Sequence, residues 1–254
     1  MSYVKAEIIK IVKDPLLWIL SLVYFVIFYV LVISSLSGIH YGKITAFAMS
    51  SYVLFIFGFG LNCIYAVLVG THVVGKEFSE RTILFLVQNE GRYRSILAKI
   101  MTVFIVDAFF VLLLTFFGFG IGIVNQVDFG EFVLEKLFKQ FSIVFVGTFL
   151  LSLFSMTVTI MIKNEANANI ICVALCLGQT FLPKEISRLL CHLSPTEYLS
   201  SQMARIFGEL QKIYNVQLTI SNQWSTSENM LFLSLYTVIC VVIQFMIAKK
   251  REYV

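Results

Sequence analysis

The chain has 254 residues, of which 59% are hydrophobic and only 13% charged, with a mean hydropathy of +0.88. Soluble domains carry roughly 25% charged residues. So few charges cannot coat a water-exposed globule of this size, which excludes an ordinary soluble domain and makes lipid the solvent for much of the surface. The net charge of +4 fits membrane orientation better than nucleic-acid binding, and three prolines and fourteen glycines argue against a loop-rich or disordered chain.

Residues 3–14 set Val4, Ile8, Ile11 and Val12 against Lys5, Glu7, Lys10 and Lys13. That is helical spacing with a basic polar face, as in a helix lying on the inner membrane surface over residues 1–14. Pro15 marks a break or a helix start. A spanning helix needs about 20 apolar residues, and the pattern predicts six: Leu16–Leu36, Ala46–Val74, Ile100–Val124, Phe141–Ile162, Ala166–Leu182 and Met230–Ala248. The first is too long for the apolar core of a cleaved signal peptide, despite the small residues Ser35 and Ser37, so it is read as a retained span. The second is long enough to tilt. The fifth is short and ends at Pro183, Lys184 and Glu185. Between the spans lie a charged segment at 75–99, a short outer loop at 125–140 and a long outer segment at 183–229. The apolar pieces of that last segment are too short and too charged to span, and are expected as re-entrant helices in the outer leaflet. The expected fold class is an all-α membrane protein with six transmembrane helices, one domain over 1–254.

Orientation follows from Lys and Arg. With the N-terminus inside, the inner segments hold Lys5, Lys10, Lys13, Lys76, Arg81, Arg92, Arg94, Lys99, Lys163, Lys249, Lys250 and Arg251. The outer segments hold only Lys43, Lys136, Lys139, Lys184, Arg188, Arg205 and Lys212. The positive-inside rule therefore puts both termini in the cytoplasm, in accord with an even number of spans.

Catalytic and metal-binding patterns are not found. The five cysteines are scattered, without a CxxC or a Cys/His set at zinc spacing. Gly70 to Lys76 fits the start of a phosphate-binding loop, but Glu77 stands where Ser or Thr is required, and a membrane helix precedes it instead of a strand. His40, His72 and His192 sit in separate segments without a nucleophile at recognisable spacing. Asp107 is the one acid inside an apolar span; a packing role and an ion or proton role both apply to such a residue. In the second span Ser51, Phe55, Gly58, Asn62, Tyr65, Val69 and His72 recur at steps of three and four and share one face. That stripe reads either as helix packing through Gly58 and Asn62 or as the wall of a substrate path. Tyr24 and Phe28 of the first span, with Phe55, Asn62, Tyr65 and Gln179, are the candidate path residues. Gly118 and Gly122 form a close-packing signal, and Trp18, Tyr198 and Trp224 fit interface anchors.

The segment 75–99 reads GKEFSERTILFLVQNEGRYRSILAK. An ordinary solvated loop would not need Thr82-Ile83-Leu84-Phe85-Leu86-Val87 in its middle; those apolar residues want a partner surface. The pattern of Glu80, Thr82-Ile83, Leu84 and Leu86, then Arg92 and Lys99 seven positions on, resembles the coupling segment between the second and third helices of type-2 ABC exporter permeases. Arg81 stands where that family commonly has Gly, and Asn89 where it commonly has Pro. The rest of the chain is similar to the family as well: a leading amphipathic helix, six spans, both ends inside, and a Ser194-Pro195 element in the last outer segment.

The resemblance implies a transport subunit with no catalytic residue and no cofactor of its own. Glu77, Glu80, Arg81, Thr82, Ile83, Leu86, Arg92, Arg94 and Lys99 would dock or couple to a separate ABC ATPase subunit, present in two copies and carrying ATP and Mg. A second permease chain, identical or related, would complete the pathway in a bacterial plasma membrane. The expected cargo is amphipathic: a peptide, toxin or bacteriocin first, a lipid or drug next. The rival reading from the residues alone is a secondary transporter or channel without an ATPase, which calls for polar groups deep in several spans; here Asp107 stands nearly alone.

Overall fold

The computed structural model describes residues 2–36, 46–79, 92–125, 134–178 and 226–249. Every element among them is helical: α1 (Ser2–Lys13), α2 (Pro15–Leu36), α3 (Ala46–Ile56), a π-helical turn (Phe57–Leu61), α4 (Asn62–Ser79), α5 (Arg92–Val124), α6 (Leu134–Ile162), α7 (Glu165–Gly178) and α8 (Thr226–Lys249). Among the described residues, three stretches are long and apolar enough to cross a membrane: Pro15–Ser34, Tyr93–Val124 and Leu137–Ile162.

These agree with the first, third and fourth expected spans, with two revisions of boundary. Helix α5 starts at Arg92 and not Ile100, and α6 starts at Leu134 and not Phe141, because charged residues continue the helical repeat beyond the apolar stretch. The second expected span does not run as one uniform rod. At Phe57–Leu61, which includes Gly58 and Gly60, the hydrogen-bond ladder widens so that the Asn62 N–H donates to the Phe57 carbonyl, five residues back. Helix α7 has 14 residues, about 21 Å of rise, short of a hydrocarbon core about 30 Å thick. Residues 179–182 of the fifth expected span, and the re-entrant helices expected within 183–229, lie outside the described residues. The sixth expected span falls on α8, whose apolar stretch, Leu233–Ile247, is shorter than the three candidate spans.

Helices α4 and α6 form the tightest pair. Gly70 faces the Ser152 backbone and the Ser155 hydroxyl so closely that no Cβ fits, and the Ser155 hydroxyl donates to the Ala66 carbonyl at 3.2 Å. Similarly, Gly118 and Gly122 of α5 lie on Ser50 and Ala46 of α3, so the small-residue pair serves contact within the chain. At the end of α6, Lys163 takes a left-handed conformation (φ 58°) and its N–H donates to the Thr159 carbonyl at 2.7 Å, closing the helix. The Asn164 side chain accepts from the Asn167 N–H at 3.0 Å, an N-cap that starts α7. The chain thus reverses within two residues and delivers Glu165 to the same end of the bundle as α1, the end of α4 and the start of α5.

Candidate functional site

Two polar features stand out from the apolar bundle. The first is a network of charged side chains at the end where α1, α4, α5 and α7 meet. Lys99 of α5 is fully buried and pairs with Glu77 of α4 at 2.5 Å. Glu7 of α1 lies 3.7 Å from the Lys99 ammonium, and Lys10 bridges Glu7 at 2.9 Å and Glu77 at 3.4 Å. A buried lysine is tolerated only with such partners. The aliphatic stem of Lys99 continues the apolar face of α5 while its ammonium reaches the carboxylates.

A second group of charges adjoins the first. Asp14, in the break between α1 and α2, accepts from Lys76 of α4 at 2.7 Å and lies 2.8 Å from Nε2 of His72. Nδ1 of the same ring lies 2.9 Å from Glu165 of α7. Neutral imidazole has one donor, so both contacts are hydrogen bonds only when both ring nitrogens carry protons. Burial alone would push the pKa of Asp14 up, but the hydrogen bonds from Lys76 and His72 outweigh it and hold the carboxyl well below the usual carboxylate range. His72 therefore ties the α1–α2 break to the α6–α7 reversal across the end of α4. Gly75 permits this approach, since a Cβ there would collide with the Glu165 side chain.

The other feature lies midway along the bundle. Tyr24 and Phe28 of α2, Phe57 of the π-helical turn, Tyr65 of α4 and Phe110 of α5 are buried together. Tyr65 stacks on Phe110 with centroids 3.9 Å apart and planes at 11°, and Tyr24 meets Tyr65 edge-on at 5.8 Å. The Tyr24 hydroxyl donates to the Leu61 carbonyl at 2.9 Å, satisfying the phenol. One turn from Phe110, Asp107 is wholly buried and neither carboxyl oxygen has a hydrogen-bond partner, although the Ser152 hydroxyl lies nearby. The Asn62 amide nitrogen is likewise buried without a partner.

The residues singled out from sequence thus fall into three groups. Glu77 and Lys99 come together, at the base of the 75–99 segment and inside the protein, whereas Arg94 is exposed. Arg92 opens α5. Glu80, Arg81, Thr82, Ile83, Leu86 and Gln179 lie outside the described residues. Tyr24, Phe28, Phe55, Asn62 and Tyr65 are buried in the core, and Tyr65 borders an apolar groove. Sequence reasoning placed His72 in a stripe of α4 read as helix packing or the wall of a substrate path, and Lys76 in a failed phosphate-loop motif, and missed their contacts with Asp14 and Glu165. The available signal was the spacing of His72, Lys76 and Glu77 at the point where α4 leaves its apolar stretch.

A search of curated proteins gives no match. Residues 37–254 match the model of the family described as "Protein of unknown function (DUF2705)", and the chain belongs to that family.

Proposed function

We propose that the chain is the membrane-spanning subunit of an ATP-driven exporter in a bacterial plasma membrane. In this reading it has six spans, both termini in the cytoplasm, and its power comes from a separate ATPase that carries ATP and Mg. The all-helical architecture with three long apolar helices supports a membrane protein. The observation that carries the exporter reading is the charged network at one end of the bundle. The two flanks of the polar segment, Gly75–Ser79 and Arg92–Lys99, are bound there to each other through Glu77 and Lys99. They are also bound to the N-terminal helix through Glu7 and Lys10. Force applied to residues 80–91 by a docked motor would pass through these pairs into α1, α4 and α5 together. A lever needs this kind of stiff base, since small displacements amplify only through packed, discrete contacts.

The cargo is amphipathic in this account, with peptide as first choice. The test uses inverted vesicles holding the full chain and its co-purified ATPase. ATP-dependent uptake of a labelled peptide supports the choice, and transport of drug or lipid in its absence overturns it. Charge reversal at Glu80 or Arg92 is expected to leave ATP hydrolysis running while transport fails. Wild-type coupling in both variants contradicts the lever.

One observation favours a second reading. Asp107, buried and unpartnered, is the kind of acid that secondary transporters place in a proton or cation path. Nucleotide-independent transport that fails in Asp107→Asn would support that reading over the exporter.

A further inference from the structure

An apolar groove of about 850 Å³ runs along the outside of α1, α2 and α5. Ile11 and Val12 of α1 bound its end near the charged network, Trp18, Leu22 and Val26 of α2 form one wall, and Phe109 of α5 contributes to the other. Trp18, Leu22, Val26 and Phe109 are 56%, 64%, 55% and 55% exposed, so nothing among the described residues covers this wall. Its shape is fixed: the Trp18 indole N–H donates to the Val12 carbonyl at 2.8 Å, which holds α1 across the top of α2. From Leu17 to Tyr29 the groove follows α2 for about 18 Å at 1.5 Å per residue. One leaflet of a hydrocarbon core about 30 Å thick spans about 15 Å.

The top of the groove is basic. Among the α1 lysines Lys10 is held by Glu7 and Glu77, but Lys5 and Lys13 are exposed and make no ion pair among the described residues. Lys5 lies one turn before the groove residue Ile8, and Lys13 follows the groove residue Val12. A leaflet-long apolar groove beneath uncommitted ammonium groups is complementary to one molecule type: a lipid with an acyl chain and a negative headgroup. A second copy of this chain packed symmetrically here would bring its own Lys5 and Lys13 to the same place and meet like charge.

We propose that this groove is a binding site for an anionic phospholipid of the leaflet on which α1 lies, with its acyl chain along α2 and its headgroup at Lys5 and Lys13. The proposal requires a membrane but no ATPase, so it stands or falls separately from the exporter reading. An occupant here would fix the angle between α1 and α2, which the ionic contacts of Asp14 set from the opposite side.

The test exploits the fact that the chain has only two tryptophans. In the full chain carrying Trp224→Phe, Trp18 is the sole indole. The protein is reconstituted in phosphatidylcholine vesicles with increasing brominated phosphatidylglycerol or, in parallel, brominated phosphatidylcholine. The anionic lipid is expected to quench Trp18 with an apparent association constant about five-fold or more above that of the zwitterionic one, given about 1 kcal/mol for each basic residue near anionic lipid. The preference should fall toward parity in Lys5→Gln/Lys13→Gln. It should also fall in unmodified protein at about 1 M salt, where charge interactions reach only about 3 Å, which keeps the test sound if the double variant fails to fold. Equal quenching by the two lipids would mean ordinary bulk lipid and overturns the site. Absence of quenching by either would mean a second copy or another protein covers the groove, and also overturns it. A preference that survives both the double substitution and high salt removes the headgroup assignment.

Discussion

The two ends of α4 are held in opposite ways. From Tyr65 to Gly70 it is fixed by stacked aromatic rings and by glycine-close packing onto α6, contacts with a single favourable arrangement in a dense core. Near His72 and Glu77 it is held by ion pairs to three other helices, and these have partners that can be exchanged. Polar atoms without partners occur in the stiff region, at the Asn62 amide nitrogen and both oxygens of Asp107, whereas each charged side chain of the network at the other end has a partner and only the second oxygen of Glu77 lacks one. The difference teaches where movement is cheap. The middle of the bundle is built to stay as it is, and the charged end is built from contacts that can break and re-form as units.

The largest expected effect comes from removing Lys99. Lys99→Met removes the buried cation from Glu77 and Glu7 and leaves them only the half-exposed Lys10, and should destabilise the protein by about 3–5 kcal/mol, read as a lowered unfolding midpoint in detergent. Adding Glu77→Gln should recover part of that loss, because the two side chains act as one unit. A loss under 1 kcal/mol in the single variant would mean that the buried pair is not holding the charged end together.

His72→Ala should cost about 2–3 kcal/mol through loss of two hydrogen bonds to carboxylates, and should also loosen α7, seen as faster amide exchange after Asn164. Gly70→Ala probes the stiff region at a similar scale, about 1–3 kcal/mol from forced overpacking against Ser152, with no effect on exchange in α1. Effects confined in this way would sharpen the contrast between the regions; spreading of both across the bundle would erase it.

Asp14 gives the acid limb. Its carboxyl is held below the ordinary range in the folded protein, so its contribution is complete above about pH 5. It is lost as the pH falls through the ordinary carboxylate value near 3.9 toward the folded one. Asp14→Asn should flatten the decline in stability between about pH 5 and 3. The smallest effect is expected at Arg94, exposed on α5: Arg94→Ala should stay within about 0.5 kcal/mol in stability, whatever it does to coupling.

Much of this was legible in the order of residues, and the rest failed for identifiable reasons. The amphipathic α1 and the long apolar cores of α2, α5 and α6 follow from periodicity and hydropathy. The starts at Arg92 and Leu134 were missed because hydropathy ends where charges begin, while the backbone repeat continues. The π-helical turn at Phe57–Leu61 was invisible in spacing, since one extra residue per turn leaves an apolar pattern nearly unchanged over so short a stretch. His72 could be placed on a helix face, but Asp14 and Glu165 reach it only through the helix break at Asp14–Pro15 and the reversal at Lys163–Asn164. From sequence Glu77 and Lys99 read as docking or coupling residues of the 75–99 segment, and their burial against each other is a tertiary fact.

The central claim is that this chain moves cargo only with work supplied by another polypeptide. The direct measurement is transport by the purified full chain in sealed vesicles, with and without a nucleotide-binding ATPase recovered by co-purification in gentle detergent, and with ATP present or withheld. The account predicts cargo movement only when both the ATPase and ATP are present. Movement by the chain alone, without nucleotide, would contradict it.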